Sequence, residues 1–301
     1  MDQDKIAKIA QIASVLEVSA YPKPGNVHRT RDFHDMVFED FLISGIVIGD
    51  IIKSAAINGL KINDSKSYCD ANIGEYILNG VKETDNWIKN NTNLGIVMML
   101  VPIAISAVIS NNMAEIQENI GNLMDNTSVK DAMDLYDAIN IADAGGMGEQ
   151  SDFDVNSQNA KEELLENNQT MFDVLAISSE WDSLAYELTN KMPISFDLGF
   201  TNLKDFRNSY SINLSTVLTF LTILSNVPDT LISRKYGDEK AEEVSEMASE
   251  LIGGYNNYES DEFLNDLKSF DDYLFENKLN PGTTADLTAS SLMLYYLDLK
   301  F

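Results

Sequence analysis

"LGIVMMLVPIAISAVIS", residues Leu94 to Ser110, is nearly all apolar, and the fold turns on whether it crosses a bilayer or fills a protein interior. It falls short of the roughly 20 residues that a membrane span requires, and it lacks flanking Lys or Arg. Polar helical patterns lie on either side, and Pro102 sits inside. The stretch therefore reads as a central core helix, kinked or restarted at Pro102, in a protein without a membrane partner.

Outward from that helix, apolar residues recur at helical spacing almost everywhere. Ile6, Ile9, Ile12, Ala13 and Leu16 share one face, and Phe41, Ile48, Ile51 and Ile52 another, while strand-like alternation is nearly absent. Start signals agree: Thr92 precedes the apolar run, and Ser128 with Asp131 and Thr283 with Asp286 each have capping-box spacing. Helices are expected near 3–20, 37–59, 67–89, 93–110, 113–125, 129–142, 161–190, 196–207, 211–226, 228–236, 239–254, 260–276 and 284–299. No Pro/Gly/Ser-rich linker divides the 301 residues, so the expectation is an all-α fold, one compact multi-helix domain over 1–301.

The formal charge of -27 and the sequence pI of about 4.2 oppose attraction to DNA, RNA or anionic lipid. A polyphosphate ligand would need a local cationic pocket, divalent metal ions, or both. The single cysteine, Cys69, excludes an internal disulfide and reads as a filler between helices. The N-terminal stretch lacks the clean apolar core of a signal peptide, which points to the cytoplasm. A homo-oligomer is compatible with the chain.

Scarce cations gather in "YPKPGNVHRTRDFHDM", Tyr21 to Met36, which holds both histidines, His28 and His34, together with Lys23, Arg29 and Arg31. Pro22 and Pro24 stiffen this loop and Gly25 frees its backbone, so the loop reads as a phosphate cradle. Asp35 and Glu39 follow, four apart on one helix face, where Mg²⁺ could bridge carboxylate and phosphate. The plainer reading is that the acids favour a helix N-terminus and that Arg29 and Arg31 make surface ion pairs.

Two further turns carry candidate chemistry. "SSEWDSLAYEL" offers Asp182 beside Trp181, either as an acidic ligand or as an ordinary helix start. "LNPGTTADLTA" places Gly282, Thr283 and Thr284 at a helix N-terminus suited to an anion, although capping alone accounts for the threonines. Weaker signals are Asn91 and Asn93 ahead of the apolar helix, Glu149 in "AGGMGE", and Arg234 with Lys235 near a helix C-terminus, where they compensate the dipole.

Together "EVSAYPKPGNVHRTRDFHDM", "NTNLG", "DSLAYE", "PDTLISRK" and "LNPGTTADL" resemble the triphosphoribosyl-dephospho-CoA synthase family over the whole chain and in the same order, closest to its archaeal branch. The resemblance implies an all-helical transferase that uses ATP as substrate. The 2′-hydroxyl of 3′-dephospho-CoA, or of a related CoA-like acceptor, attacks the ribose C1′ and adenine departs. Carried onto this chain, it implies phosphate contacts from Lys23, Gly25, His28, Arg29, Arg31, Asn91, Gly282, Thr283 and Thr284. It implies Mg²⁺ ligands at Asp35, Asp182 and Asp286, and a general base among Asp35, His34, Glu39 and Asp182. Where members of the family usually read N-T-H-K-G, this chain has Asn91-Thr92-Asn93-Leu94-Gly95, and the arginine of a G-x-R-G-E pattern is absent near Asp143 to Glu149. Losing those cations predicts weakened or redirected polyphosphate binding. The alternative functions are a metal-dependent hydrolase of an N-glycosidic or ADP-ribosyl bond, and a non-catalytic nucleotide-binding protein.

Overall fold

The apolar run folds as one helix, Leu94–Ile109, in which every residue except Gly95 and Ile109 is buried. It continues through Pro102 without restarting. The computed structural model describes residues 1–33, 35–65, 67–142, 155, 157 and 159–301. His34 and Glu149, both weighed as site residues, lie outside the described residues.

In chain order the helices are α1 (Gln3–Ser19), α2 (Phe38–Val47), α3 (Gly49–Ser65), α4 (Ile73–Trp87), α5 (Leu94–Ile109), α6 (Met113–Asp125), α7 (Val129–Ala142), α8 (Ala160–Glu166), α9 (Met171–Ser178), α10 (Ser183–Thr189), α11 (Thr201–Arg207), α12 (Ile212–Asn226), α13 (Thr230–Tyr236), α14 (Asp238–Gly253), α15 (Asp261–Glu276) and α16 (Gly282–Asp298). A 3₁₀ turn at Tyr68–Asp70 and a π-helical turn at Ile194–Phe200 complete the set, and no strand occurs among the described residues. No single helix among them is long and apolar enough to cross a membrane.

Two apolar clusters make the core. The larger surrounds α5 and takes in the inner faces of α1, α3, α4, α6 and α7. The smaller lies where α12, α14 and α15 meet. Helix α16 joins them, with Leu287, Leu292 and Met293 in the first and Ala285 in the second. Its N-terminal turn thus falls at the seam between two cores, where polar side chains can stand without interrupting either one.

Local chemistry explains where the expected helices divide. The stretch expected as one helix over 37–59 breaks at Ile48, where Gln11 Nε2 donates to Ile46 O at 2.7 Å in the last turn of α2. The stretch expected over 161–190 becomes three helices. Asn168 takes a left-handed φ of 51°, Thr170 and Asp173 form a capping box for α9, and Asp182 caps α10. The Ser128/Asp131 box exists, with Ser128 N donating to Asp131 Oδ2 at 2.8 Å. The Thr283/Asp286 box does not. Helix α16 starts two residues earlier, and Asp229 from the start of α13 accepts both the Thr284 N–H and its hydroxyl at 2.8 Å.

Glu187 is fully buried and accepts the N–H groups of Ile194 (2.6 Å) and Ser195 (2.9 Å), which open the π-helical turn. Burial, opposed by those hydrogen bonds, pushes its carboxyl up to about 7. A carboxyl raised on folding holds a proton that the unfolded chain has already released. Its stabilising contribution is therefore complete below the ordinary value of 4.5 and is lost as pH rises through about 7. Glu187→Gln imitates the protonated form at every pH. The drop in Tm between pH 5 and pH 8 is expected to shrink in that variant, and an unchanged drop would assign the pH dependence elsewhere.

Candidate active site

The seam at α16 opens into a cavity of about 520 Å³. Its polar wall consists of Glu17 from the end of α1, Asn26 from the following loop, Asp182, Arg234 and Lys235 from α10 and α13, and Asn280, Thr283 and Asp286 from the last turn. Its apolar wall is Ile96 and Met98 of α5, Leu135, Tyr136 and Ile139 of α7, and Val174 and Leu175 of α9. Trp181 also lines the cavity, 42% exposed. A cavity with both apolar and charged lining is suited to a ligand that combines a flat base with anionic groups.

Each polar residue is held for a reason. Asp182 Oδ1 caps α10 through Leu184 N (2.8 Å) and Ala185 N (3.1 Å), while Oδ2 pairs with Arg234 Nη1. Asp229, buried behind them, caps α13 through Leu231 N (2.9 Å) and Ile232 N (3.1 Å) and ties down Thr284 with its other oxygen. Asn26 Nδ2 donates to Asn280 Oδ1 at 2.9 Å, fastening the opening loop to the turn before α16. Asp286 lies against the first turn of α5, where a Cβ at residue 95 would overlap its Oδ2; only glycine fits there. Thr92 Oγ1, shielded from solvent beside the cavity, has no hydrogen-bond partner among the described residues.

The electrostatics follow from this crowding of carboxylates. Burial, then the neighbouring Glu17, Asp229 and Asp182, hold the Asp286 carboxyl well above its ordinary range, with Arg234 opposing. Burial also raises Asp229, against the hydrogen bonds from Thr284, Ile232 and Leu231.

Of the expected site residues, Asp35, Asn91, Asp182, Gly282, Thr283 and Asp286 line the cavity. The opening loop's cations do not. Lys23 is fully buried and paired with Glu17. His28 Nε2 bonds Asp271 Oδ2 at 3.0 Å, and Gly25 N donates to Asp271 Oδ1 at 3.0 Å. Arg29 reaches the other way, to Ser19 O and Asn213 Oδ1, each at 2.7 Å. Arg31 pairs with Asp271 and Asp272 and lies 4.7 Å over the Phe275 ring. The expected phosphate cradle is thus a clasp: Lys23 pairs with Glu17, His28 and Arg31 with carboxylates of α15, and Arg29 donates to the Ser19 carbonyl and to the amide oxygen of Asn213 at the start of α12. Glu39 is exposed on α2, and Thr284 faces Asp229.

The cations that do border the cavity, Lys89, Arg234 and Lys235, were read otherwise or passed over in the sequence, as was Glu17. Glu17 had a signal. It continues the 6, 10, 13 spacing of the buried α1 face, so a charged residue was due to point inward.

The CitG family model, described as ATP:dephospho-CoA triphosphoribosyl transferase, matches residues 3–301. A crystal structure from Archaeoglobus fulgidus, described as a "putative triphosphoribosyl-dephospho-coA synthase", has a TM-score of 0.65 and 24% identity to this chain, and the match covers 85% of this chain and 98% of that one. At that identity the likeness is one of fold. No curated protein matches.

Proposed function

This chain belongs to the ATP:dephospho-CoA triphosphoribosyl transferase family, and we propose that the cavity at the α16 seam is where it transfers the triphosphoribosyl group of ATP to an acceptor hydroxyl. The observation that carries this reading is a single cavity lined both by apolar side chains and by scarce cations. Adenine packs among Tyr136, Ile139 and Leu175, and the triphosphate meets Arg234, Lys235 and Lys89. The ribose then lies beside Asp182 and Asp286. As the acceptor oxygen approaches C1′ and the bond to adenine N9 lengthens, the sugar gains positive charge, which the Asp182 carboxylate, held in place beforehand, stabilises. The 3′-dephospho-CoA hydroxyl is the family's acceptor.

The expected Mg²⁺ set of Asp35, Asp182 and Asp286 does not assemble, and no three His, Cys, Asp or Glu side chains among the described residues are grouped to hold a metal. Asp182 already has both oxygens engaged. Mg²⁺ enters this reading with the triphosphate, held by phosphate oxygens and water.

The test is incubation with ATP, Mg²⁺ and 3′-dephospho-CoA, with adenine and the CoA product both quantified. Equal yields of the two are expected. Adenine without coupled product would favour the hydrolase alternative, and ATP binding without adenine release, whatever the acceptor, would favour the non-catalytic one.

A further inference from the structure

Glu17 is 2% exposed, yet it borders the cavity, and Lys23 beside it is 0% exposed. Burying an ionised pair costs more than burying two apolar side chains of the same size, so packing alone does not account for it. The hydrogen bonds are asymmetric. Lys23 Nζ donates to Glu17 Oε1 and to the backbone oxygen of Glu17 at 3.1 Å, and Oε2 has no hydrogen-bond partner among the described residues. Lys23 does not border the cavity itself. Its ammonium holds one oxygen of Glu17 from behind while the other oxygen remains available to a ligand.

Resting on the transferase reading above, we propose that Glu17 is the general base for the acceptor hydroxyl and that Lys23 is its positioning residue. The acceptor's O–H proton passes to Glu17 Oε2, the oxygen forms its bond to ribose C1′, and the C1′–N9 bond breaks with its electron pair leaving on adenine. Adenine then takes a proton from solvent, to which Glu17 returns its own. Asp182 cannot serve as this base while both its oxygens are engaged. The charged groups facing the pair are Asp286 on α16 and Asp271 on α15, both acting on Lys23, with Asp286 also interacting with Glu17. Burial raises the Glu17 carboxyl above its ordinary value, with Lys23 opposing, which makes it a stronger proton acceptor than an exposed glutamate.

Single-turnover adenine release with saturating ATP and 3′-dephospho-CoA tests the assignment. Glu17→Gln is expected to slow release by about 100-fold or more, keep the ATP Kd within about threefold, and flatten the acidic limb of the pH profile. Glu17→Ala should regain rate on addition of formate. Release by Glu17→Gln close to the wild-type rate, or an ATP-binding Glu17→Ala that formate does not affect, would overturn the proposal. Should Glu17→Gln lose ATP binding, Glu17→Asp decides. It keeps the charge but withdraws the carboxylate from the cavity, so a rate reduced by about tenfold or more at unchanged ATP affinity supports the role, and a wild-type rate refutes it. Wild-type protein that releases no adenine with any acceptor would refute the transferase reading itself, independently of Glu17.

Discussion

Arg234→Met is expected to lower kcat/KM for ATP by about 100- to 1,000-fold, with a much smaller loss of stability. Arg234 is a cation set among the cavity's carboxylates: Nη1 pairs with Asp182, its charge opposes the upward shift of Asp286, and its Nε, shielded from water, has no partner among the described residues. That free donor and the exposed Lys235 beside it are what a triphosphate would meet. Methionine keeps the aliphatic packing and removes the charge. The Asp182 carboxylate is then left without its ion pair but still caps α10 through Oδ1, so the structural cost falls toward the low end for a broken, partly exposed pair, about 1–2 kcal/mol. The double variant Arg234→Met with Asp182→Asn separates the two effects. Relieving the unpaired carboxylate should restore most of the lost Tm and leave ATP affinity low. If thermal stability and ATP affinity recover together, Arg234 acts through the fold and not on the nucleotide.

The helices could be read from this sequence because helical periodicity and caps are local. The apolar spacing of α1, the Ser128/Asp131 box and the capping role of Asp182 all depend on residues within a few positions of one another. The Leu94 stretch was legible for the same reason, since its length and its polar neighbours suffice to reject a span. The direction in which a long cationic side chain points is not local. Arg29 finds Asn213 and Arg31 finds Asp271 and Asp272, partners roughly two hundred residues or more away, and nothing near Tyr21 to Met36 reveals them. The loop's composition was read as a ligand site when those charges serve to anchor it. Its backbone still reaches the cavity through Asn26. The same blindness hid Arg234, whose position at the end of α13 has a sufficient local explanation in the helix dipole until Asp182 is seen beside it. Asp229 escaped notice because its second set of hydrogen bonds, to Thr284, spans 55 residues.

Gly25→Ala should be the most destabilising single-methyl change in the opening loop. Gly25 has φ of 69°, in the left-handed region, and a Cβ there would overlap the Leu279 carbonyl oxygen and come within 2.7 Å of Leu274 Cβ. Left-handed backbone costs a non-glycine residue about 1–2 kcal/mol, and overpacking against α15 and the turn after it adds about 1–3 kcal/mol. The expected loss is about 4 kcal/mol, or a Tm lower by roughly 6 °C for a chain of this size. The backbone oxygen of Leu279 cannot move away cheaply, because Leu279 N is itself bonded to Leu274 O at 2.8 Å and the next residue, Asn280, holds Asn26. The strain therefore passes to the polar wall, and ATP affinity should fall in the fraction that remains folded. Asn26→Ala cuts the same link at its other end without touching Gly25. It should reproduce the weaker ATP binding with a Tm loss of only about 2 °C, the value expected for a lost hydrogen bond of about 1 kcal/mol. Equal Tm losses in the two variants would mean that the left-handed turn at Gly25 carries no strain of its own, and unchanged ATP affinity in both would detach the clasp from the cavity.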